Sequence, residues 1–324
     1  MTDFTANRPL QNLGAGSARA LGLKVLGAEA MGAFRRNLVI GGHAMTKMAR
    51  QATSEQFPVI GRANVITHVP GTEIDGNVIQ SAERTISLED VKISPVFMPN
   101  IDRYLAHFDS RRPYADSISE ALRVKMEEDV FFTGVQAARA TSTIPGAEGH
   151  GDGAVLVDAA FDTDGVAIFN GIVRAAVAMK RKNVPKSDVI VALDPVRYSL
   201  LVQSEKPINK DVNPENGSLA RGNVQYVNDL PIVESNSVVA RDESANTEQP
   251  AVRRADFSNV RGLIWHRNSI GVLQAIDMEL EDEYSARHQG TLLLGKMFYG
   301  MGILRPEAAA VLQTTGTEQG LSLN

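Results

Sequence analysis

Acidic side chains are the first candidates for chemistry in this sequence. Asp194 follows a predicted buried strand, at a position where an α/β enzyme could place a catalytic acid. The interpretation that we favour is that Asp194 caps a helix whose first residue is Pro195. The acids of segment 277–283 could supply a carboxylate pair for acid–base catalysis, but such a run more commonly forms a charged strand edge or an interface.

Metal-binding residue types are present but do not occur in a metal-binding pattern. The chain has no cysteine, which excludes thiolate sites and disulfides, and its six histidines are scattered without a His-Glu-x-x-His run. The segment Asp162-Thr163-Asp164-Gly165 resembles the start of a calcium loop, but the twelfth position holds Val173 instead of a carboxylate. We therefore predict that Asp164 caps a helix and that the protein has no metal site.

Nucleotide-binding motifs are also missing from the sequence. Gly14-Ala15-Gly16 begins like a dinucleotide fingerprint, but Arg19 occupies the third glycine position and no strand precedes it. No P-loop and no Gly-x-Ser-x-Gly nucleophile elbow is found. We predict no cofactor and no enzymatic activity. A soluble α/β enzyme with segment 155–260 as its core and Asp194 as its acid remains an alternative.

Composition restricts the remaining classes. The chain has 324 residues, 43% of them hydrophobic, and a formal charge of −5. A dedicated nucleic-acid-binding protein would carry a strong basic excess, so this class is not favoured. No apolar run approaches the roughly 18 residues that a membrane helix needs, and Met1–Thr5 does not begin like a signal peptide. We expect no membrane partner.

The front of the chain shows a split in charge. Residues 1–50 contain seven basic side chains against two acids, and a helix capped by Ser17 is predicted to run to Arg36. Residues 55–92 instead contain six acids against three bases. This split leads to the hypothesis that the basic arm of one subunit attracts the acidic segment of another.

A long β-hairpin is predicted between Phe57 and Met98. β-forming residues flank Pro70-Gly71 and Asp75-Gly76, which are strong turn sequences. An isolated hairpin of about forty residues is only marginally stable in water. We therefore expect it to need a surface, and a second copy of the chain could supply that surface.

The rest of the sequence predicts an α+β protein. Ile118, Leu122, Met126 and Val130 recur on one face of a helix from about 113 to 140, with Arg123 and Glu127 as an i,i+4 pair on another face. Helices and strands then alternate over 155–260. An antiparallel sheet is predicted from Leu263–His266 onward, and Gly316–Asn324 is predicted to be a frayed tail. The loops Asn209–Gly222 and Val238–Phe257 match no pattern.

Four motifs resemble the major capsid proteins of T7-like podoviruses. They lie in the same order as in that family and span roughly residues 20 to 312. They are Ala33-Phe34-Arg35-Arg36 with the stretch around His43; Gln56–Arg62 continuing through Pro70-Gly71 to Ile74-Asp75-Gly76; Trp265–Gly271; and Gly302–Ala309.

The resemblance implies the HK97-like capsid fold of tailed bacteriophages. It predicts an N-arm (1–55), an extended β-hairpin loop (56–99), a peripheral domain with a spine helix (100–145), an axial α/β domain (146–261), the peripheral-domain sheet (262–300), and a return toward the axial domain with a C-terminal tail (301–324). An encapsulin-like compartment shell shares this fold and remains a second alternative.

The resemblance also implies a function and its partners. The protein would self-assemble into pentamers and hexamers of an icosahedral virion shell around double-stranded DNA, bound without sequence specificity. Assembly would take place in the host cytoplasm with a scaffolding protein and a portal. Candidate inter-subunit contacts are Arg35, Arg36, Phe57, Arg62, Glu73, Asp75, Glu83 and Arg84.

The charge-split hypothesis predicts that assembly depends on the arm. Arg35→Glu and Arg36→Glu should each lower the yield of assembled particles, because they place like charges opposite the acidic segment of a neighbouring subunit. Reversing acids in that segment should restore part of the yield. Particle yield can be measured by sedimentation, and a yield that both substitutions leave unchanged would count against the hypothesis.

Overall fold

The structure is a computed structural model. It describes residues 39–49, 52–63, 65, 67–68, 70–71, 73, 76, 78–101, 111–144, 150–204, 217–218, 223–224 and 226–320. The predicted helix Ser17–Arg36 and most of the loop Asn209–Gly222 lie outside these residues.

Three α-helices and fourteen strands are found in the described part of the chain. The helices are α1 (Arg111–Arg139), α2 (Gly165–Arg181) and α3 (Pro195–Gln203). The strands are β1 (Met45–Met48), β2 (Ser54–Ile60), β3 (Ser81–Ser87), β4 (Lys92–Pro99), β5 (Ala154–Val157), β6 (Val189–Leu193), β7 (Gly217–Ser218), β8 (Asn223–Val224), β9 (Tyr226–Val227), β10 (Leu230–Glu234), β11 (Val260–His266), β12 (Ile270–Ser285), β13 (Gly290–Ile303) and β14 (Ala309–Gln313).

These elements form two compact units. Among the described residues, unit 1 consists of Asp90–Lys125 and Ala275–Tyr299, and unit 2 contains the others. The helix α1 and the strands β12 and β13 each contribute residues to both units. No helix in the described ranges is both long and apolar enough to span a bilayer.

Unit 2 is built on a six-stranded mixed sheet with the order β5-β14-β11-β6-β10-β9. The central strand β6 pairs parallel with β10 and antiparallel with β11. Its sequence, Val-Ile-Val-Ala-Leu, is apolar throughout, as expected for a strand covered on both faces. The apolar sides of α2 and α3 pack with this sheet in one core that includes Phe161, Ile172 and Leu201.

The predicted helix caps of unit 2 are confirmed. The carboxylate of Asp164 accepts from the backbone N–H of Val166 at the start of α2. Asp194 caps α3, with Pro195 in the first turn, and its second oxygen lies 3.0 Å from Nη1 of Arg197. Both carboxylates are therefore engaged in local structure, as the cap interpretation requires.

One strand lies in a different sheet from the one that the sequence predicts, and a second strand, β14, is absent from the sequence prediction. Leu263–His266 belongs to β11 in the six-stranded sheet, not to the late antiparallel sheet. The strand β14 lies between β5 and β11, and its five residues are all buried. Short apolar strands look alike in sequence, so the pattern identified a strand but not its neighbours.

Unit 1 consists of the first half of α1 and the greater part of a four-stranded sheet with the order β1-β12-β13-β4. In this sheet β13 pairs antiparallel with β4, and β1 pairs parallel with residues 271–274 of β12, which belong to unit 2. A Cβ added to Gly295 on β13 would lie 2.3 Å from Cγ2 of Ile118 and 3.0 Å from Cδ1 of Leu122. The absence of a side chain at this position lets the helix approach the strand closely. Ile118 and Leu122, the first two residues of the predicted apolar face, thus contact the late sheet.

The predicted hairpin differs from the observed one in length and in surroundings. Its paired part is only β2 and β3, seven residues each, from Ser54 opposite Ser87 to Ile60 opposite Ser81. Val91–Phe97 was expected in the hairpin, but β4 pairs with β13 instead. None of the described residues within 61–80 belongs to a strand.

The tail is also more ordered than the sequence predicts. Gln319 forms an antiparallel bridge with Val155, and Arg174 lies 2.9 Å from the carboxylate of Glu318. Residues 316–320 therefore lie along the edge of the six-stranded sheet instead of fraying. The polar composition of residues 316–320 gives no indication that Gln319 exchanges backbone hydrogen bonds with Val155 of β5.

Candidate assembly surface

From here on, the name extended loop is used for segment 61–80, which joins β2 to β3. Some of its described residues have apolar side chains that are exposed to solvent. The exposed fractions are 97% for Val65 and 92% for Val78, and Ile60 at its start is 60% exposed. Large aliphatic side chains grouped on one exposed segment are typical of an interaction surface. The extended loop is therefore the candidate assembly surface.

The predicted contact residues fall into three groups. Arg62, Glu73, Glu83 and Arg84 are exposed, as a contact with another subunit requires. Phe57 is only 3% exposed and lies in the core of its own chain. The remaining three, Arg35, Arg36 and Asp75, lie outside the described residues.

The base of the hairpin packs on its own chain, so the expectation that it lacks an internal surface is wrong for β2 and β3. Phe57 and Ile86 form a buried cluster with Leu273 and Leu304. A Cβ on Gly271 would lie 2.6 Å from Cδ1 of Ile86, so a larger residue would push the hairpin away. The length of the predicted hairpin did not indicate that its paired strands are buried in their own chain.

Lys47, from the basic segment at the front of the chain, also contacts the paired base of the hairpin. Nζ of Lys47 lies 4.3 Å from the centre of the Phe57 ring and donates to the carbonyl oxygen of Gln56 at 3.2 Å. It also lies 3.8 Å from a carboxylate oxygen of Glu55. At this point, the basic and acidic segments meet within one chain.

A buried charge cluster fixes the chain just after β3. The guanidinium of Arg253, which is 1% exposed, donates to both carboxylate oxygens of Glu89, with Nη1 2.7 Å from Oε1. Nη2 of Arg253 also lies 3.6 Å from the fully buried carboxylate of Asp129 on α1. The backbone N–H of Met301 donates to Glu89 as well, at 3.3 Å.

This cluster was missed because Arg253 lies in the loop Val238–Phe257, which matches no sequence pattern. A polar loop with several arginines normally indicates a solvated surface. Nothing in its sequence marks Arg253 as buried. Its neighbour Arg254 donates to loop carbonyls instead.

Glu127 has a different role from the predicted surface pair with Arg123. It is 2% exposed, and Oε1 accepts from the backbone N–H groups of Ile40 at 2.8 Å and Gly41 at 3.3 Å. Oε2 accepts from the hydroxyl of Ser237 at 2.9 Å. The i,i+4 spacing is real, but tertiary contacts at the C-terminal half of α1 use Glu127 to satisfy buried donors.

The motif Trp265–Gly271 holds the segment that leads into β1. Nε1 of Trp265 donates to the carbonyl oxygen of His43 at 2.9 Å, and the two rings pack edge to face at 5.7 Å. Nε2 of His43 lies 2.6 Å from the carbonyl oxygen of Asp188. Arg267 donates to the carbonyl oxygen of Ala44. Burial lowers the pKa of His43 and of His266.

The segment that resembled a calcium loop is used for ion pairs. Asp162 accepts from the guanidinium groups of Arg261 and Arg197, and hydrogen bonding from Arg261 is the largest effect that lowers the pKa of Asp162 to about 2. Asp164 caps α2 and so points to a different partner. Within the described ranges, no group of three or more histidine, aspartate or glutamate side chains could hold a metal ion.

Comparison with known proteins places these features in one family. The model of the family described as Gp10A-like major capsid protein matches residues 56–313. The major capsid protein of Escherichia phage T7 is 28% identical over 321 residues, which cover 92% of this chain and 93% of that protein. The minor capsid protein of the same phage is also 28% identical and covers 95% of this chain and 83% of that protein.

Solved structures give the same result. The capsid structure of the Cyanophage P-SCSP1u is 28% identical, with a TM-score of 0.82 over 98% of this chain and 100% of that one. The mature capsid of bacteriophage PhiM1 has a TM-score of 0.75 over 98% of this chain and 100% of that one. At 17% identity, the second likeness shows the fold alone.

The charge cluster predicts a large loss of stability on removal of its cation. Arg253→Ala should lower the free energy of unfolding by about 3–5 kcal/mol, because it leaves the buried carboxylates of Glu89 and Asp129 without the guanidinium that they face. Chemical denaturation followed by circular dichroism measures this loss. Arg287→Ala, at an exposed position, is the control and should change stability by less than about 0.5 kcal/mol.

The buried histidines predict lower stability in weak acid. A lowered pKa means that the unfolded chain takes up protons first, so stability present above about pH 6.5 is lost as the pH falls. Denaturation midpoints measured from about pH 7.5 to about pH 5 should fall in the unsubstituted protein. They should fall less in a variant that carries His43→Gln and His266→Gln, and parallel curves would contradict the prediction.

Proposed function

This chain belongs to the Gp10A-like major capsid protein family, and from that membership we propose that it assembles into pentamers and hexamers of an icosahedral shell that encloses double-stranded DNA. The observation that carries the proposal is the extended loop, whose exposed aliphatic side chains stand on a base fixed in the body of the chain. A rigid base with an apolar tip suits repeated docking onto identical neighbours.

The coarser parts of this function are established. The resemblance to capsid proteins of T7-like phages is confirmed, and the predicted α+β HK97-like capsid fold agrees with its structural neighbours, which are phage capsids. The chain is a structural protein of the phage virion shell and not an enzyme. The encapsulin-like alternative is not favoured, because the relatives of this chain are capsid proteins.

The soluble-enzyme alternative also loses its candidate residue. Asp194 accepts from the backbone N–H of Arg197 and pairs with its guanidinium, so the carboxylate is committed to capping α3. A catalytic acid needs a carboxyl group that can face the substrate and transfer a proton to it. The acidic run on β12 is partly neutralised by Lys296, which contacts Glu279 and Glu281.

The driving force for assembly is the burial of the apolar tip. Fully burying one valine side chain contributes about 1.5 kcal/mol or more. A single loop therefore gives weak association, and many repeated contacts are needed for a stable shell. Weak individual contacts also allow a misplaced subunit to leave, which favours a regular shell.

The other partners are part of the same proposal. A scaffolding protein and a portal would guide assembly in the bacterial host cytoplasm, and DNA would be enclosed without sequence-specific binding. The formal charge of −5 is compatible with a container, because a strongly basic lining would retain the packaged DNA and oppose its release.

The six-part domain division from the sequence remains part of the proposal. Unit 1 contains strands assigned to the peripheral domain, and the six-stranded sheet contains strands assigned to the axial domain. The boundary at residue 262 needs one change, since Val260–His266 lies wholly in the six-stranded sheet. The axial domain should therefore extend to about His266.

The proposal predicts that charges on the extended loop block shell formation without unfolding the subunit. Val65→Asp combined with Val78→Asp should reduce closed shells at least about tenfold, because burying two unpaired carboxylates is unfavourable. Negative-stain microscopy of protein produced with scaffold counts the shells, and denaturation checks the fold. Val252→Asp, at a residue that is 60% exposed outside the loop, is the control and should leave shell yield unchanged.

A further inference from the structure

A cavity lies beside the point where the hairpin base passes into the extended loop. Its volume is about 420 Å³, and it lies entirely within unit 2. Residues from the end of β2, the end of α2 and the segment after β13 line it, among them Ile60, Arg62, Lys182, His266, Arg305 and Glu307. Most of its ionisable side chains are basic, yet one acid is buried in its wall.

The buried acid is Glu307, and it faces a buried histidine. The side chains of Glu307 and His150 are 2% and 3% exposed, and Nδ1 of His150 lies 3.4 Å from Oε1 of Glu307. This distance allows an ion pair, but the alignment of a hydrogen bond is lacking. Among the described residues, neither carboxylate oxygen nor Nδ1 has a hydrogen-bond partner.

The other nitrogen of His150 reaches the hairpin. Nε2 lies 3.2 Å from the carbonyl oxygen of Ile60, the last residue of β2. The next residue, Gly61, donates its N–H to the carbonyl oxygen of Gln80 and so makes the final cross-connection before the loop. His150 therefore touches the backbone where the paired base ends.

The number of protons on the His150–Glu307 pair decides which contacts the pair can make. An imidazole with one proton can donate from only one nitrogen. If Nε2 donates to Ile60, the lone pair of Nδ1 faces Glu307, and an ionised carboxylate there is repelled. One further proton, held by either His150 or Glu307, removes the repulsion and leaves both contacts intact.

We propose that His150 and Glu307 share one proton and form a latch that holds the end of β2, and that loss of this proton at higher pH releases the extended loop. Without the proton, His150 must either give up Ile60 or keep its lone pair against a buried carboxylate. Giving up Ile60 frays the last pair of the hairpin and frees the loop to change direction. The latch works within one chain and does not depend on shell formation.

The surrounding charges decide the direction of the pH effect. Burial is the largest effect on Glu307 and raises its pKa, while its own backbone N–H and then the charges of His150, Arg305 and Lys182 act in the opposite sense. Nζ of Lys182 is itself engaged, since it donates to the carbonyl oxygen of Asp152 at 2.6 Å. A raised pKa means that the stabilised state is complete at low pH and is lost as the pH rises.

Two other ionisable groups line the same cavity and need to be separated from the pair. Arg62 is exposed and makes no part of the buried pair. Burial lowers the pKa of His266, which therefore gains a proton only as the pH falls. Since Nδ1 of His266 accepts from the backbone N–H of Asn268, its protonation would disturb a different contact. The release predicted here occurs as the pH rises.

A nitroxide spin label tests the latch in the unassembled full-length chain. The protein has no cysteine, so Ala63→Cys, at an exposed position just beyond Arg62, gives a single labelling site. From about pH 5 to about pH 9, the ratio of mobile to immobile label should rise about tenfold, because the released state does not hold the shared proton. A label at Val177→Cys on α2 should show no such change.

Two substitutions identify the groups responsible. Glu307→Gln supplies an N–H to Nδ1 of His150 without any proton uptake, so the label at position 63 should stay immobile across the whole range. His150→Ala removes the contact to Ile60, so the label should be mobile throughout. His266→Gln is the control and should leave the rise in label mobility with pH unchanged.

Specific results would overturn the latch. It fails if the Ala63→Cys label is equally immobile from about pH 5 to about pH 9, or if Glu307→Gln shows the same transition as the unsubstituted background. It also fails if His266→Gln abolishes the transition. Shell yield enters none of these measurements, so failure of the latch and failure of the proposed assembly function are distinguishable.

Discussion

The pairing of Arg253 with Glu89 is the interaction on which the placement of the hairpin most depends. Glu89 follows β3 by two residues and is the last residue of unit 2 before the chain enters unit 1. Its carboxylate is held by a buried guanidinium, which in turn faces Asp129 on the spine helix. Because a buried ion is stable only with its partners in place, this cluster permits few alternative positions for the chain after the hairpin.

Hydrogen bonds from side chains to distant backbone groups also restrict where segments of the chain can lie. Glu127 holds the N–H groups at Ile40, Trp265 holds the carbonyl of His43, and His150 reaches the carbonyl of Ile60. The first two bonds fix the segment before β1, which has little regular structure of its own, and the third holds the end of β2. The body of unit 2 thereby positions the hairpin base, whereas Val65 and Val78 of the extended loop are exposed.

Local features of the fold could be predicted from the sequence, and non-local ones could not. Periodicity identified the spine helix, and the caps Asp164 and Asp194 were correctly interpreted, because each depends on residues close in sequence. The burial of Glu127 and Arg253 depends on segments about a hundred residues or more away. Charged residues that are buried by distant partners have the same sequence pattern as solvated ones, so no periodicity could distinguish them.

The length of the predicted hairpin was a misleading guide to whether it packs on its own chain. A two-stranded ribbon is marginal in water, which led to the expectation of an external surface for the whole segment. The chain instead meets this requirement internally for seven residue pairs, through Phe57 and Ile86 against Leu273 and Leu304. The described residues within 61–80 belong to no strand and include the exposed side chains of Val65 and Val78, whereas β4 beyond them pairs with β13. An assembly subunit benefits from this division, since the base can fold before any neighbour is present and the tip stays available for docking.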